Sequence, residues 1–489
     1  MAVYSLYVNE EMSYSKDGAP FRPACAHPEY PFAANDCDMA PNAVYEGVRE
    51  CFRLGGLDAA AFGAADWNPL GEWVRPGDRV LVKPNLVMHE NPTGNGTDCL
   101  YTHPSVIAAV IDYVVVALRG EGLIVLADAP MQSCDWNKLI DGSGLRELVE
   151  WYRAQGVDIE LRDMRGLRSA YKEGVLTQEL VDDAAGAVID LGGDSAFSGL
   201  SQSRIDGLRI TNYDPSELKR HHTENIHEYY VSRDLLDADV VINLPKAKTH
   251  RKAGVTGALK NMVGVNVRKE YLPHHSNGSA AEGFDEYEQR SLLKRVASSL
   301  LDRKNEKLAS GGGFSYRALA FACRCLYFAG KRISGDFKSE GSWWGNDTIW
   351  RTVLDLNKIV LYADAEGVMH DTPQRRMLVV CDMVTIGQGE GPLLPEPGEW
   401  GMLSFCDDPV VHDIGMARLM GSDETVIPTI HNARCYDGKY ALSDVRKGLP
   451  KCSSNSRHFD GVEVGDLNED ARYLAVPTSG WSPRFARKK

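Results

Sequence analysis

Short apolar runs alternate with amphipathic or glycine-rich stretches along this chain. The run 76–85 predicts a turn and then a buried strand, which should end at Pro84 because proline has no N–H to donate to a sheet. Pro104 suits the first turn of a helix that ends at Gly120 or Gly122, and an apolar run follows directly as the next strand. Because one helix joins the two strands, we expect them to be parallel, with a right-handed crossover.

The same alternation returns three times, at residues 237–246, 376–382 and 401–409. In the last of these runs Asp408 suits the N-cap of a helix, and Gly421 suits the position just beyond the end of that helix. Strands that alternate with helices indicate an α/β fold. We therefore predict a mostly parallel sheet with helices on both faces, plus a helical insertion.

Residues 276–375 have a different character and form the predicted insertion. Residues 304–307 and the glycines at 311–313 predict loops around two helices, and Asn346 or Asp347 predicts the cap of a third helix. The chain is thus expected to divide into an N-terminal strand and helical lead-in (1–75), a first part of the α/β core (76–275), the helical insertion (276–375), a second part of the core (376–430) and a C-terminal tail that wraps the surface (431–489).

Charge is distributed unevenly along the chain. The formal net charge is −14, and the hydrophobic fraction of 43% and charged fraction of 25% are ordinary for a globular protein. Segment 243–264 goes against the acidic balance, because it interleaves six basic residues with three glycines after an apolar run. Ammonium groups and closely approaching backbone N–H groups suit an anionic ligand. A solvated basic loop is the alternative interpretation.

Several classes of function fit the composition poorly. The acidic balance argues against wide nucleic-acid or anionic-membrane surfaces, and no apolar run approaches the roughly 18 residues that predict a membrane span. Residues 1–11 lack the pattern of a signal peptide and alternate more like a first strand, so we expect a cytoplasmic protein. The oligomeric state is left open.

The eleven cysteines carry no metal or cluster motif. Cys323 and Cys325 are the only close pair, and they lie in an apolar run that predicts a helix. We therefore expect reduced thiols and no sequence-local iron–sulfur cluster. The phosphate-binding loop G-x-x-x-x-G-K-[ST], the dinucleotide pattern G-x-G-x-x-G after a strand and the zinc motif H-E-x-x-H do not occur either.

In an open α/β sheet, ligands bind outside the carboxyl ends of the strands. The predicted strands would therefore bring several polar residues to one crevice, together with a small anionic substrate. The residues expected to bind that substrate are Lys83, Asn85, Lys246, Thr256, Lys260 and Asn261, and those expected to take part in catalysis are His250, Lys248, Asp128 and Glu390.

His250 is the predicted general acid or base, because nearby lysines should lower its pKa and keep it neutral near pH 7. Asp128 or Glu390 would be its partner or a metal ligand, and residues 256–261 would begin a helix whose free N–H groups face the crevice. Plainer interpretations stay open: Asp128 caps a turn, Lys83 is a surface residue and Glu390 is an exposed turn residue. The cofactor is left open, and a divalent metal held by His250 and a distant carboxylate is one alternative.

Three groups of motifs resemble the family called domain of unknown function 362. They are Val80-Leu-Val-Lys-Pro-Asn-Leu-Val with Thr102-His-Pro and Ala127-Asp-Ala-Pro, then Ile242-Asn-Leu-Pro-Lys-Ala-Lys-Thr-His with Gly257-Ala-Leu-Lys-Asn-Met-Val-Gly, then Gly387-Gln-Gly-Glu-Gly-Pro with Asp408-Pro-Val-Val-His-Asp. The resemblance covers roughly residues 76–275 and 376–425. Some members of the family carry ferredoxin-type cysteine clusters, which implies electron transfer for those members, and this chain departs from them.

The leading hypothesis is a cytoplasmic enzyme that acts on a small carboxylate or phosphate by proton transfer or metal-assisted chemistry. One rival is a redox protein that uses an external cofactor. Another is a non-catalytic scaffold that docks a partner chain through the helical insertion, where Trp343, Trp344 and Trp350 cluster. A tryptophan cluster belongs to a core more often than to an interface, so the scaffold ranks lower.

Overall fold

The structure, a computed structural model, describes residues 2–16, 18–33, 42–172, 175–181, 185–211, 213–309, 314–334, 339–469 and 471–485. The strands in these ranges are β1 (Tyr4–Val8), β2 (Arg79–Pro84), β3 (Leu123–Asp128), β4 (Ile159–Asp163), β5 (Leu167–Lys172), β6 (Val175–Leu180), β7 (Gly186–Asp190), β8 (Leu208–Arg209), β9 (Glu228–Ser232), β10 (Val240–Leu244), β11 (Lys246–His250), β12 (Gly254–Thr256), β13 (His275–Ser276), β14 (Arg376–Glu390), β15 (Leu394–Cys406) and β16 (Ser453–Ser454).

The α-helices in the same ranges are α1 (Ala43–Leu54), α2 (Pro104–Leu118), α3 (Trp136–Gly142), α4 (Leu145–Ala154), α5 (Gln202–Asp206), α6 (Pro215–His221), α7 (Arg233–Leu236), α8 (Ala258–Asn261), α9 (Leu292–Ala309), α10 (Phe314–Ser334), α11 (Ile349–Tyr362), α12 (Pro409–Leu419), α13 (Pro428–Cys435) and α14 (Ser482–Phe485). The helices α2 and α12 begin at the prolines that the sequence indicates, and Asp408 caps α12 by accepting from the N–H groups of Val410 and Val411. The helix α2 ends at Leu118, slightly earlier than predicted.

One large sheet organises the described residues. Its strand order is β16-β1-β15-β14-β10-β2-β3-β4, and β11 with β12 extends it beside β14. The strands β14, β10, β2, β3 and β4 are mutually parallel. The predicted α/β fold with a mostly parallel sheet is therefore confirmed.

The sheet departs from the prediction at one edge. The strands β14 and β15 form an antiparallel hairpin, and β1 is antiparallel to β15. The sequence-based prediction placed a short strand at 376–382 and left Glu390 open as a turn residue, but β14 runs on to Glu390 through the glycines at 387 and 389. The glycines hide this strand because they interrupt the apolar pattern that identifies strands.

Two hydrophobic cores cover the two faces of the sheet. Along β2, Val80 and Val82 pack into one core and Leu81 packs into the other, as the alternation of side chains along a strand requires. The helices α1, α2 and α4 complete the first core, and α11, α12 and α13 complete the second. Because both faces are covered, the polar carboxyl ends of the parallel strands are where a ligand can reach the sheet.

The region predicted as an insertion contains the helix pair α9–α10 and then α11. The prediction of a loop at 304–307 is wrong, because these residues lie in α9, and the glycines at 311–313 lie outside the described residues. Asn346 caps the start of α11, since its Oδ1 accepts from the N–H groups of Thr348 at 3.0 Å and Ile349 at 2.9 Å. The apolar face of α11 belongs to the second core. The division of the chain into five parts stays a prediction.

The C-terminal tail reaches the inner part of the molecule. The strand β16 pairs with β1 at the sheet edge. Trp481 is completely buried, and its Nε1 donates to the carbonyl of Arg251 at 2.9 Å. A Cβ at Gly254 would lie 3.0 Å from this indole, and Gly254 has a φ of +82°. The tail therefore braces the turn between β11 and β12.

The tryptophan cluster of the scaffold hypothesis is part of the packed interior. Trp343 is buried, and its Nε1 donates to the carbonyl of Asp285 at 2.9 Å. Trp344 and Trp350 are partly buried and pack against the second core. These rings therefore stabilise the fold, and they present little free surface for a partner chain.

Candidate functional site

The cationic segment is a strand and not a loop. Residues 246–250 form β11, which pairs with β12 in an antiparallel hairpin and lies parallel to β14, and all five side chains are buried. The interpretation as a solvated basic loop is therefore wrong. The sequence hides this strand because lysine, threonine and histidine interrupt the apolar pattern, and buried lysines are rare unless they find partners.

Lys246 has such a partner inside the protein, the buried carboxylate of Asp382. Its Nζ lies 3.0 Å from Asp382 Oδ2 and also donates to the hydroxyl of Tyr14, and the hydroxyl of Tyr14 donates to Asp382 Oδ1 at 2.6 Å. The backbone N–H of His103 donates to Asp382 Oδ2 at 2.9 Å. Lys246 therefore balances a buried carboxylate between two strands, and the prediction that it binds substrate is not supported by its position.

Lys248 points in another direction and is held by neutral oxygens. Its Nζ donates to Asn85 Oδ1 and to the carbonyl of Leu100, both at 2.5 Å. Burial and, secondarily, the charge of Lys246 lower the pKa of Lys248 to about 7. A Cβ at Gly387 would lie 2.5 Å from Lys248 Cγ, so only glycine fits beside this side chain. Lys248 thus does not line the cavity itself, and it holds the side chain of Asn85, which does, by a hydrogen bond.

A cavity of about 170 Å³ opens at the carboxyl ends of β2 and β3, next to the β11–β12 hairpin. Among the predicted site residues it is lined by Asn85, Asp128, His250, Thr256, Lys260 and Asn261. Polar residues that the sequence analysis did not select also line it, namely Gln132, Thr211, Tyr213, Arg251, Lys252, Lys269 and His274. The structure therefore brings six of the ten predicted residues together, and it adds the basic residues Arg251, Lys252, Lys269 and His274 to them.

Lys83 does not line the cavity, but it neutralises Asp128, which does. The two side chains form a buried ion pair with 2.6 Å between Lys83 Nζ and Asp128 Oδ1. Asp128 Oδ2 accepts from the N–H of Leu86 at 2.7 Å, and Asn261 Nδ2 donates to the carbonyl of Lys83 at 3.2 Å. Burial lowers the pKa of Lys83, and the charge of Asp128 opposes this shift. Lys83 is therefore neither a surface residue nor a wall of the cavity.

Gly264, the last residue of the Gly257–Gly264 motif, has to be glycine because of this ion pair. A Cβ there would lie 2.2 Å from Asp128 Oδ1 and 2.7 Å from Lys83 Nζ. The carbonyl of Gly264 accepts from the N–H of Ala129 at 2.9 Å and so ties the segment to the end of β3. The motif thus fixes the position of the only carboxylate among the cavity-lining residues that are described.

The tautomer of His250 follows from its hydrogen bonds. Its Nδ1 accepts from the backbone N–H groups of Lys252 at 3.1 Å and Ala253 at 3.0 Å, so the proton of the neutral ring is on Nε2. Burial, then the charges of Lys260 and Arg251, hold the pKa of His250 well below its usual value. The predicted direction of this shift is confirmed, although burial contributes more than the lysines.

His274 has the opposite tautomer. Its Nδ1 lies 2.7 Å from the carbonyl of Leu272, and because a carbonyl can only accept, Nδ1 carries the proton and Nε2 keeps its lone pair. Burial, followed by the charges of Lys252 and Lys260, holds the pKa of His274 well below its usual value. The two neutral rings at the cavity therefore offer one donor, on His250, and one acceptor, on His274.

Three lysines, together with Arg251, give the cavity its charge. Burial is the main cause of the lowered pKa in each case, to about 8 for Lys252 and Lys260 and to about 7 for Lys269. Lys252 Nζ donates to the carbonyl of Glu340 at 2.5 Å and Lys269 Nζ to that of Val263 at 3.3 Å. Within the described part of the chain no hydrogen bond is found for Lys260 Nζ. Asp128 is already neutralised by Lys83, so the net potential of the cavity is positive.

Two further polar atoms at the cavity lack partners. Within the described ranges, neither Thr256 Oγ1 nor Gln132 Oε1 makes a hydrogen bond, and both side chains are buried. Buried polar groups are normally satisfied by protein, water or ligand. Both residues line the cavity, so a bound molecule can supply the missing partners.

The N-terminus of α8 is not free for a ligand, which corrects the prediction for residues 256–261. Asp413 accepts from the N–H groups of Ala258 at 2.6 Å and Leu259 at 3.0 Å. A Cβ at Gly257 would lie 2.2 Å from the same carboxylate. The chain thus supplies its own anion to this helix end, and Asp413 comes from α12, far away in sequence.

Glu390 does not belong to the cavity. It is exposed at the end of β14, where its Oε1 accepts from the N–H of Ser479 at 2.7 Å. Pro392 and Leu393 at the tip of the same hairpin do line the cavity. The prediction placed the right loop near the site but chose the wrong residue, because the carboxylate lies on the outer side of the hairpin.

A group of metal-ligating side chains lies elsewhere. Within the described ranges, Cys25, His27 and Glu46 are the only group of three or more such residues whose ligand atoms converge, and none of them lines the cavity. His27 Nε2 lies 2.7 Å from Glu46 Oε1. Asp128, the one described carboxylate that lines the cavity together with the predicted metal ligand His250, is engaged by Lys83.

Lys269 and His274 were missed because they follow the recognised motif in irregular backbone. They lie on and after a short 3₁₀ turn at Lys269–Tyr271, where no periodic pattern marks a buried side chain. The signal that could have found them is the continuation of basic residues beyond the motif, at Arg268, Lys269 and His274.

The fold and the cavity define an α/β protein with a cationic pocket at the ends of its parallel strands. The sequence profile of the family described as Domain of unknown function (DUF362) matches residues 80–188 and 175–418. The chain therefore belongs to this family, and the resemblance seen in its motifs is confirmed.

Among characterised sequences, the chain is similar to a thylakoid-associated protein of Synechocystis sp., with 28% identity over 218 residues. The match covers 44% of this chain and 48% of that protein, so the chain spans about half the length of this relative. A solved structure from Thermotoga maritima is matched over 67% of this chain and 50% of that chain, with 10% identity and a TM-score of 0.25, which is too low to support an argument. None of the described helices is both long enough and apolar enough to cross a membrane.

Proposed function

We propose that the protein is an enzyme that binds a small carboxylate or phosphate in this cavity and moves a proton on it. The observation that carries the proposal is the charge of the lining. Arg251, Lys252, Lys260 and Lys269 line the cavity, and the one described carboxylate there, Asp128, is paired with Lys83. Lysines that lie together in a largely enclosed pocket without an anion repel one another, so a bound anion would stabilise them.

The size and the remaining walls indicate a small substrate with an apolar part. A volume of about 170 Å³ has room for a ligand of on the order of ten non-hydrogen atoms. Apolar side chains also line the cavity, namely Val87, Met131, Ile210, Val263 and Leu393. A compact carbon skeleton with one or two anionic groups suits this combination.

The two histidines support proton transfer. His274 presents the lone pair of Nε2, so it can take a proton from the substrate and return it, whereas the neutral ring of His250 presents Nε2–H and donates a hydrogen bond. Lysines next to the substrate would stabilise negative charge that develops on it. Thr256 and Gln132 offer neutral contacts that orient the substrate.

Two finer alternatives from the sequence stay as predictions. The first is a metal-assisted reaction with His250 as a ligand, which fits poorly because Nδ1 of His250 accepts two backbone N–H groups, its Nε2 carries the proton and Asp128 is engaged by Lys83. The second is a redox reaction that uses an external cofactor. The cytoplasmic location also stays a prediction, which fractionation of cells that express the tagged protein would test.

Replacing Lys260 by methionine tests the proposal. Titration calorimetry with malonate and with inorganic phosphate as separate probes is expected to show binding of at least one of them to the wild-type protein. The affinity of the Lys260→Met variant for the probe should be lower by about tenfold or more, because a contact to a charged group is worth roughly 1.5–3 kcal/mol. Its melting temperature should stay unchanged or rise, since a partly buried charge next to other cations is removed.

The matched control is Lys138→Met, which removes an exposed lysine on α3 and should leave anion binding unchanged. Binding of both probes to Lys260→Met with wild-type affinity would contradict the proposal. So would a wild-type protein that binds neither probe.

A further inference from the structure

The helix pair α9–α10 carries a charge opposite to that of the whole chain. Residues 292–334 contain nine lysines and arginines and two carboxylates, whereas the formal net charge of the protein is −14. Within α10 there is no aspartate or glutamate. The sequence-based expectation of no membrane contact rested on the net charge of the whole chain, which hides this local excess.

The inner side of the pair is attached to the body of the protein. Asp302 of α9 forms an ion pair with Arg209 at 3.0 Å, and the hydroxyl of Ser298 donates to Glu286. Cys323 of α10 is buried against α9, with its Sγ 3.9 Å from the carbonyl of Ala297. The helix α9 is therefore the inner helix, and α10 lies outside it.

The outer side of α10 presents one mixed stripe. Residues 317, 321, 324, 328 and 332 follow one another at intervals of three or four, so they share a face of the helix. They are Arg, Phe, Arg, Phe and Arg, and all are exposed, with Phe321 at 71% and Phe328 at 58%. The guanidinium of Arg332 lies 4.8 Å from the centre of the Phe328 ring. Exposed phenylalanines next to arginines are costly in water and need a reason.

We propose that this stripe docks the protein onto an anionic lipid surface, with α10 lying in the plane of the interface. The phenylalanine rings would enter the boundary between headgroups and acyl chains, and the arginines would pair with lipid phosphates. A basic helix with large apolar side chains on its exposed face has the composition of such interfacial helices.

Other occupants fit the stripe less well. A second copy of the chain would bring arginines against arginines, because α10 has no acidic residue to complement them. A peptide ligand needs a groove, and the stripe lies on the outer, convex side of a helix. A flat surface with dense negative charge and an apolar layer beneath it satisfies both residue types at once.

The test is flotation of the full-length protein with vesicles of phosphatidylcholine alone and of equimolar phosphatidylcholine and phosphatidylglycerol. The wild-type protein is expected to float with the anionic vesicles and not with the neutral ones. Phe321→Ser/Phe328→Ser should reduce this binding on the order of tenfold, because the apolar contact is lost. Arg324→Gln/Arg332→Gln should reduce it by roughly fivefold for each arginine and weaken its dependence on salt.

The matched control, Val368→Ser/Lys447→Gln, changes an exposed apolar and an exposed basic residue outside the helix pair and should bind like the wild type. Equal melting temperatures will show that the variants are folded. The proposal is overturned if the wild-type protein does not float with anionic vesicles, or if the phenylalanine variant floats as well as the control. Two other outcomes also overturn it. One is a wild-type dimer in analytical ultracentrifugation that the phenylalanine variant no longer forms. The other is a phenylalanine variant that binds anionic vesicles like the wild type and loses only the binding of nucleic acid.

Discussion

Replacing Lys83 by methionine is expected to lower the free energy of unfolding by about 3–5 kcal/mol. Lys83 is completely buried and lies 2.6 Å from Asp128, so methionine would fill similar space but leave the carboxylate without its counter-charge. Asp128 would keep only the hydrogen bond from the N–H of Leu86. An unpaired buried charge costs several kcal/mol even after relaxation.

Urea unfolding followed by circular dichroism measures this loss. The double variant Lys83→Met/Asp128→Asn should recover part of the stability, because it removes both charges and keeps the hydrogen bond from Leu86. The exposed-site control Lys138→Met should change the free energy of unfolding by no more than about 0.5 kcal/mol. The account of the ion pair is contradicted if the single variant is as stable as this control.

The second large effect is on the pH dependence of anion binding. The affinity for malonate, whose carboxyl groups are ionised throughout, is expected to fall by about tenfold or more from about pH 6.5 to about pH 9.5. The pKa is lowered to about 7 for Lys269 and to about 8 for Lys252 and Lys260, so all three lose their charge in this interval. Anion affinity should fall with them.

The stability of the unliganded protein should change in the opposite direction. The pKa of each of these lysines is lower in the folded state than the value of about 10.4 that applies in the unfolded chain. Between those two values the unfolded state binds more protons, so the free energy of unfolding rises with pH, and the penalty is fully present below the folded pKa. Ionisation of the buried thiols in the unfolded chain opposes this trend, so the comparison has to be made with a variant.

The matched variant is Lys269→Met. Its malonate affinity should depend less steeply on pH, and its stability relative to the wild type should be greatest below about pH 7, where Lys269 is charged in the folded protein. Calorimetric titrations and urea unfolding at several pH values measure both quantities. A pH profile of malonate affinity that is identical in the two proteins would show that Lys269 does not contribute to the site.

The overall fold could be predicted because its elements follow local rules. The elements β2, α2 and β3 each combine an apolar run with a proline or glycine at its end, and α12 begins with Asp408 and Pro409. Such signals act within a few residues, so one sequence is enough to find them. The hairpin of β14 and β15 was not predicted, because its glycines interrupt the apolar pattern and no local signal in the sequence shows that the two strands pair.

The site was predicted in part for a related reason. The rule that ligands bind at the carboxyl ends of strands correctly places Asn85, Asp128 and His250 at the cavity. It does not say which way a buried side chain points, so Lys246 and Lys248 were assigned to a ligand although they bind Asp382 and Asn85 inside the protein. These partners are distant in sequence, and only the folded chain brings them together.

The proposed function requires that a small anion binds among Lys260, Lys269 and His250. The most direct test is a crystal structure of the protein soaked with malonate and, in a second crystal, with tungstate as a phosphate analogue that scatters anomalously. The account predicts an anion in the cavity within hydrogen-bonding distance of Lys260 Nζ and of Nε2 of His250 in at least one of the two. Anions bound only elsewhere on the surface, with the cavity holding water in both crystals, would contradict it.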